Sequence, residues 1–228
     1  MNKEPLVALL PMKAHSSRVP GKNFLPLGNR PLFRWILDTL LSVDEIAKIV
    51  INTDAREILS GHGIVDSERI VIRDRVPELC GDDVSMNRII ENDIGNAPAE
   101  TYLMTHTTNP FLHADTIRRA LHDYCEAMAH ERADSLFSVN RHQTRFYRAD
   151  GTPVNHDPAN LIPTQELEPW FEENSNLYLF SATSFARTKA RIGEKPLLFV
   201  TPKRESLDID DPEDWALAEA LVRGESDR

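Results

Sequence analysis

The chain has 228 residues, the length of one α/β domain or of a domain with a small appendage. An apolar fraction of 41% suffices for a full core, and a formal net charge of −10 argues against nucleic acid as the main partner. No apolar run is long enough to span a bilayer, no signal peptide is discernible, and Cys80 and Cys125 have neither metal-ligand spacing nor a disulfide framework, so a cytoplasmic protein with reduced thiols is expected.

The first predicted element is a buried strand over Leu6–Leu10, ended by Pro11, which cannot donate to a strand ladder. A loop follows that carries Lys13, Arg18 and Lys22 among small and polar residues, and then PLFRWILDTLL, which has helical periodicity. In an open α/β sheet, ligands sit beyond the carboxyl end of such a strand, and three cations with free backbone N–H groups suit a polyphosphate. The loop is not a Walker motif, which would need Gly at position 16 and Ser or Thr at 23, where the chain has Ser16 and Asn23. A basic surface loop without a ligand is the competing reading.

AKIVINTDAREIL reads as a strand passing into a helix at Thr53-Asp54, with Asp54 as the helix N-cap. RIVIRDRVPELCGDDVSMNRIIENDI gives a short strand, a loop and a helix from about Val84. Arg75 in that loop can hold a nucleotide or a substrate acid, or pair with nearby carboxylates, and Asp83 is read as solvated. TYLMTHTTNPFLHADTIRRALHDYCEAM is a central strand, a turn at Pro110 and an amphipathic helix. His106 at the strand end titrates in the range of a catalytic base, but a neutral hydrogen-bonding role is preferred.

DSLFSVNR is a further strand. Residues 141–172 then break the α/β rhythm with RHQTRFYR, a turn at Asp150-Gly151 and prolines at 153, 158, 163 and 169. This segment is expected to be an inserted arm outside the main sheet, rich in Arg141, Arg145 and Arg148, with Phe146, Tyr147, Trp170 and Phe171 costly to leave in water. NLYLFSATSFARTK returns to strand and helix. Leu207–Asp210 is expected to be a strand with Asp208 and Asp210 on one face and Leu207 and Ile209 on the other. Asp211 then caps the last helix, Pro212 takes its first position, and Glu213 and Asp214 complement its dipole. The fold leaves Asp208 and Asp210 unexplained, and two like charges on one face suit a hard divalent cation between them.

Five separated motifs together resemble the cytidylyltransferases that activate sialic acids and related keto-sugar acids. Pro11-Met12-Lys13, Ser16 and Pro20-Gly21-Lys22-Asn23 are similar to that family's N-terminal signature, with Lys13 in place of an arginine; Arg18 matches an arginine of the sister group that activates ketodeoxyoctonate. Arg75, Leu79 and Asp82 resemble its Arg-Pro-x-x-Leu-Ala-x-Asp run. His106 stands where the family has a sugar-contacting glutamine, and Thr108 keeps its threonine. Gln165, followed nine residues later by Asn174, matches its Gln…Asn spacing, although Pro163 and Thr164 replace two arginines before the glutamine. Asp208-Ile209-Asp210 resembles its terminal metal motif.

The resemblance implies one nucleotidyltransferase domain over 1–228: an open, mostly parallel, Rossmann-like sheet flanked by helices, with 141–172 as a protruding dimerisation arm. It implies a reaction of CTP with a keto-sugar acid that gives a CMP-sugar and pyrophosphate, in a homodimer without nucleic-acid or membrane partners. It assigns Lys13, Arg18, Lys22 and Asp210 to catalysis, and Mg²⁺, or Mn²⁺ in its place, to Asp208 and Asp210. Pro11, Met12, Lys13, Ser16, Lys22, Asn23, Arg75 and Asp82 would bind the nucleotide, and His106, Thr108, Gln165 and Asn174 the sugar acid. An Asp-x-Asp glycosyltransferase using a nucleotide-sugar and a non-catalytic nucleotide-binding relative are the alternatives.

Overall fold

A computed structural model describes residues 6–81 and 83–226. In chain order it contains β1 (Leu6–Leu9), the short hairpin β2 (Pro26–Leu27) and β3 (Arg30–Pro31), α1 (Leu32–Leu41), β4 (Ile46–Thr53), α2 (Arg56–Gly61), β5 (Ile70–Asp74) and α3 (Met86–Asn96). There follow β6 (Thr101–Met104), α4 (Ala114–Ala129), β7 (Ser135–His142), β8 (Trp170–Ser181), α5 (Ala182–Thr188), β9 (Pro196–Val200) and α6 (Pro212–Ser226). Seven strands form one sheet in the order β5-β4-β1-β6-β8-β7-β9. Pairs β1–β4, β4–β5, β1–β6 and β7–β9 are parallel, while β8 runs antiparallel to both β6 and β7.

The strands read as apolar runs because helices cover both faces of the sheet. Ala8 and Leu10 of the first strand region point to the layer of Phe33, Ile36, Leu37, Leu40, Ile117 and Tyr124. Val7 and Leu9 point to the other layer, with Ile90, Tyr102, Tyr178, Phe180 and Phe185. Each Val, Leu, Ile or Phe among them, taken fully out of water, contributes about 1.5–3 kcal/mol. A third cluster docks α6 on the β2–β3 hairpin through Leu27, Ile209, Ala218 and Val222. There the turn glycine Gly28 lies at φ +64, and a Cβ on it would meet Val222 Cγ1 at 2.6 Å. Among the described residues no helix is long and apolar enough to cross a membrane.

The chain leaves β1 towards β4 and β5 on one side and returns to β6 on the other. The strand order therefore reverses between β1 and β6, and the crevice beyond their carboxyl ends is the topological switch point of the sheet.

Three expectations change. Leu207–Asp210 belongs to no strand; its backbone is held by single bonds, Ile209 N–H to Thr108 O at 2.9 Å and Asn109 Nδ2–H to Leu207 O at 3.4 Å, in place of a ladder. The alternation survives, since Leu207 and Ile209 still enter the α6 cluster. The ends of the predicted arm lie inside the main sheet: Arg141 pairs with Phe171 and His142 with Trp170, which leaves residues 143–169 outside it. Asp54 does not cap α2, whose N-cap is Ala55 without a side-chain bond; the Asp54 carboxylate instead accepts the Ala14 N–H at 2.6 Å. The cap of α6 is as read. Asp211 Oδ1 accepts the N–H groups of Glu213 and Asp214 at 2.8 and 3.0 Å, and Asp214 Oδ2 returns to the N–H groups of Asp210 and Asp211.

Candidate active site

The switch-point crevice holds a cavity of about 410 Å³. Its first wall is the loop after β1. Leu10 and Met12 continue the parallel bonding to Val50 and Asn52, and the chain then leaves the sheet. It turns back at Gly21, in the left-handed region at φ 66, into one tight turn over Lys22–Phe24. Asn23 pins that turn: its Nδ2 donates to Lys13 O at 2.8 Å and its Oδ1 accepts from Thr107 Oγ1 at 2.7 Å, joining the loop to the end of β6. Lys22 is buried, and its Nζ donates to Ile209 O at 2.6 Å and to Asp210 Oδ1 at 3.2 Å. Arg18 Nη2 meets the same Asp210 oxygen at 2.8 Å.

The second wall is Arg75, just past β5. Its Nε donates to Asn52 Oδ1 at 2.9 Å and its Nη2 to Asn52 O at 2.8 Å. Asn52 Nδ2 in turn donates to Asp93 Oδ1 at 2.7 Å, which also accepts from Arg73 Nη1 at 2.9 Å. Because Asp93 accepts, the amide of Asn52 presents its oxygen to Arg75. Asp93 is fully buried and its second oxygen has no donor. Burial pushes its carboxyl up to about 6, against the opposing effects of Asn52, Arg73 and Arg75.

The third wall is made by the segment after β6, the start of β8 and the loop after α5. Asp208 keeps one buried oxygen, Oδ1, without a donor. Its carboxyl is raised first by burial and then by Asp210, while Thr108 and Lys22 act the other way. Ser175 sits in the irregular stretch of β8, where the register with β7 shifts between Phe137 and Val139, with φ 55, a left-handed conformation that costs a serine about 1–2 kcal/mol. Arg191 reaches in from the α5–β9 loop: its guanidinium lies 3.8 Å from the centre of the Tyr178 ring, and Nη1 is 3.3 Å from His106 Nε2. Arginine only donates, so Nε2 of His106 accepts and its hydrogen is on Nδ1. Burial, followed by the charge of Arg191, lowers the His106 imidazole to about 3, so it is neutral near pH 7.

The cavity thus brings together Pro11, Met12, Lys13, Ser16, Arg18, Lys22 and Asn23 from the first loop with Arg75. It adds His106 and Thr108 from the end of β6 and Asp208 and Asp210 from before α6. Asp82 lies outside the described residues. Gln165 and Asn174 are not brought to the cavity. Gln165 is exposed in the arm, where its carbonyl accepts from Gln143. Asn174 is buried and spends its amide on Asn140, Thr201 and the Asn176 N–H. Ser175 and Arg191 were missed by sequence reasoning, as was the Asn52–Asp93 support of Arg75. A serine at a strand irregularity and an arginine in a basic run carry no spacing signal. A larger groove of about 870 Å³, between β9, α6 and the base of the arm, has Leu217 and Val200 with Lys203 and Arg204 in its lining but no carboxylate. Size favours that groove, but chemistry favours the smaller cavity, which sets Lys13, Arg18, Lys22, Arg75 and Arg191 around Asp208 and Asp210. Such a cationic excess selects a polyanion.

Comparison with known proteins places the family and the fold. A family model described as cytidylyltransferase matches residues 7–221. The CMP-N,N'-diacetyllegionaminic acid synthase of Legionella pneumophila is 26% identical over 233 residues, which cover 95% of this chain and 96% of that protein. The N-acylneuraminate cytidylyltransferase of Oncorhynchus mykiss is 26% identical over 228 residues, covering 96% of this chain, and the chain spans only about half, 51%, of that longer protein. In fold, the chain superposes on a CMP:2-keto-3-deoxy-manno-octonic acid synthetase complexed with CTP with a TM-score of 0.66 at 14% identity, covering 97% of this chain and 99% of that one.

Proposed function

The chain belongs to the cytidylyltransferase family, and from that premise we propose that it joins CMP to a keto-sugar acid of the sialic type, with CTP as donor and pyrophosphate as the second product. The observation that carries the reading is the meeting, at the switch point, of a cationic loop and two carboxylates in one cavity. A hydroxyl oxygen of the sugar attacks the α-phosphorus in line, the bond from that phosphorus to the pyrophosphate oxygen breaks, and the hydroxyl proton leaves to a base. Negative charge grows on the α-phosphate and on the departing pyrophosphate. Lys13, Arg18 and Lys22 are set against that charge, and their value comes from being held in place before the reaction. Asn23 and Arg75 hold the nucleotide, and His106 and Thr108 face the sugar acid. A neutral His106 serves as a hydrogen-bonding group, and Asp210 is the proton acceptor.

Asp208 and Asp210 fit a hard divalent cation, Mg²⁺ or Mn²⁺. The buried Asp208 Oδ1 lacks a donor, and among the described residues no third acidic or histidine ligand joins the pair. Mg²⁺ usually takes only one or two protein carboxylates and completes its shell with phosphate and water. When bound, it would neutralise phosphate charge and acidify the attacking hydroxyl. A glycosyltransferase is not favoured, because its Asp-x-Asp pair is expected in mid-chain, at the end of a central strand.

We also read the arm as the contact of a homodimer. Tyr147, Leu161, Trp170 and Phe171 are between 41% and 62% exposed, a concentration of apolar surface that a second copy would cover. Sedimentation should give a dimer at micromolar concentration, and a monomer would remove this part of the reading. The function is tested by pyrophosphate release with CTP and a panel of keto-sugar acids. Release of a nucleoside diphosphate from a nucleotide-sugar, or no release at all, would overturn it.

A further inference from the structure

We propose that Arg191 is the carboxylate receptor of the sugar subsite, gripping the acid group of the substrate while the triphosphate lies against the opposite walls. This rests on the cytidylyltransferase reading above. The guanidinium is a largely buried cation, its side chain only 18% exposed. Its partners compensate it poorly. His106 is a neutral imidazole at 3.3 Å, Met104 offers a thioether at 3.7 Å, and the Glu173 carboxylate stands at 3.4 Å. The same Glu173 oxygen accepts the hydroxyl of Tyr178. None of these is the short, two-bonded carboxylate contact that a guanidinium makes best.

The side chain is nonetheless set for such a contact. Tyr178, itself fully buried, supports one face of the guanidinium, and Asn87 holds the backbone N–H of Arg191 at 3.2 Å. Ser175 stands beside it on the cavity wall, its hydroxyl bonded to Tyr178 Oη at 3.2 Å. Lys13, Arg18, Lys22 and Arg75 already face a triphosphate from the loops after β1 and β5, so a fifth cation beyond the end of β6 calls for a second anion. The acceptor's carboxylate is the second anion that the reaction supplies.

Pyrophosphate release by the full-length protein is measured with CTP and N-acetylneuraminic, N,N'-diacetyllegionaminic and ketodeoxyoctonic acids, for the wild type, Arg191→Met and Arg191→Lys. The expected result is that Arg191→Met raises KM for the acid by roughly 10- to 100-fold, the worth of a hydrogen bond to a charged group, with KM for CTP nearly unchanged and partial recovery in Arg191→Lys. Competition by the methyl ester of the preferred acid adds a readout that packing alone would not move. The wild type should discriminate strongly between acid and ester, and Arg191→Met hardly at all. If the wild type releases pyrophosphate with none of the acids, the reading of the reaction fails and this inference falls with it. If the wild type is active but Arg191→Met keeps the acid–ester discrimination, or loses CTP affinity alone, Arg191 is a packing residue or a phosphate ligand and the inference fails by itself.

Discussion

The wall built by the loop after β1 and the wall built around Arg191 line the same cavity but are assembled differently. In the first, the main tethers are short and directed: Lys22 to Ile209 O at 2.6 Å, Asn23 to Lys13 O at 2.8 Å, and Arg18 to Asp210 at 2.8 Å, with only the second Lys22 bond, to Asp210, at 3.2 Å. In the second, the contacts of Arg191 are long, and beside it stands a serine in a left-handed conformation. The first wall partly neutralises itself, because Asp210 holds two of its cations, Arg18 and Lys22. The second holds a buried cation with weak partners. On the function and the inference proposed above, the difference teaches that the nucleotide side is set by tethers within the protein, whereas the sugar side depends on its ligand for charge balance.

The largest combined effect on turnover and stability is expected at Lys22. Lys22→Ala should lower turnover about 100- to 1,000-fold, the usual consequence of removing one preorganised donor from developing charge. Its tether to Ile209 O means that stability should fall too, by about 1–3 kcal/mol for the unpaired buried carbonyl. Turnover that stays near wild type, with full CTP affinity, would take this loop out of the reaction.

Asp210 comes next. Asp210→Asn should reduce turnover to near background, and chelation should do the same to the wild type, with recovery on adding Mg²⁺ or Mn²⁺. From the sequence, removing one of two like charges at Asp208 and Asp210 would leave the melting temperature unchanged or slightly raised. The contacts with Arg18 and Lys22 reverse that expectation, since the variant loses two ion pairs along with the repulsion. Both pairs are partly exposed, so the loss of stability should be modest. Full activity in the presence of excess chelator would exclude the metal.

The same contrast explains what was legible in the sequence. The strand–loop–helix order, the mostly parallel sheet and the loop 11–23 follow from local pattern, because apolar runs, Pro11, Gly21 and the cations lie close together in the chain. Asp208 and Asp210 were legible because Asp211 and Pro212 account for the helix start without them. Of the wall around Arg191, His106 and Thr108 were legible and the rest was not. Arg191, Ser175 and His106 come from three distant segments and meet only through the antiparallel β6–β8 pair and the loop after α5. Asn174 was read towards the sugar on spacing alone, and one residue decided its place: at the irregularity of β8 it is Ser175 that lines the cavity, while Asn174 turns inward to Thr201.

Asp93 sharpens the contrast from the nucleotide side through pH. Its folded carboxyl is raised to about 6 by burial, from an ordinary value of 3.8. Between those values the folded protein holds a proton that the unfolded chain has lost, so this group makes stability fall as pH rises from about 4 to 6 and stay level above. The full effect is roughly 2–3 kcal/mol. Asp93→Asn should remove that slope in denaturation curves compared with the wild type at several pH values. The amide should also loosen the orientation of Asn52 under Arg75 and raise KM for CTP more than KM for the acid. An identical slope in both proteins would mean that Asp93 keeps its ordinary acidity in the fold.

The smallest expected effect separates Asp211 from its neighbour. Asp211 accepts two N–H groups of the first turn of α6, and its removal should cost about 1 kcal/mol of stability. Activity should largely survive, because Asp210 is held independently: its own N–H donates to Asp214 Oδ2 at 2.9 Å, and the preceding Ile209 N–H is fixed to Thr108 O at 2.9 Å. Neither bond involves the Asp211 carboxylate. Asp211→Ala measured for both melting and turnover therefore sets a purely structural carboxylate beside a chemical one a single residue away. If turnover collapsed while stability held, the ligand and the cap would have to be exchanged, and Asp210 would lose its place in the reaction.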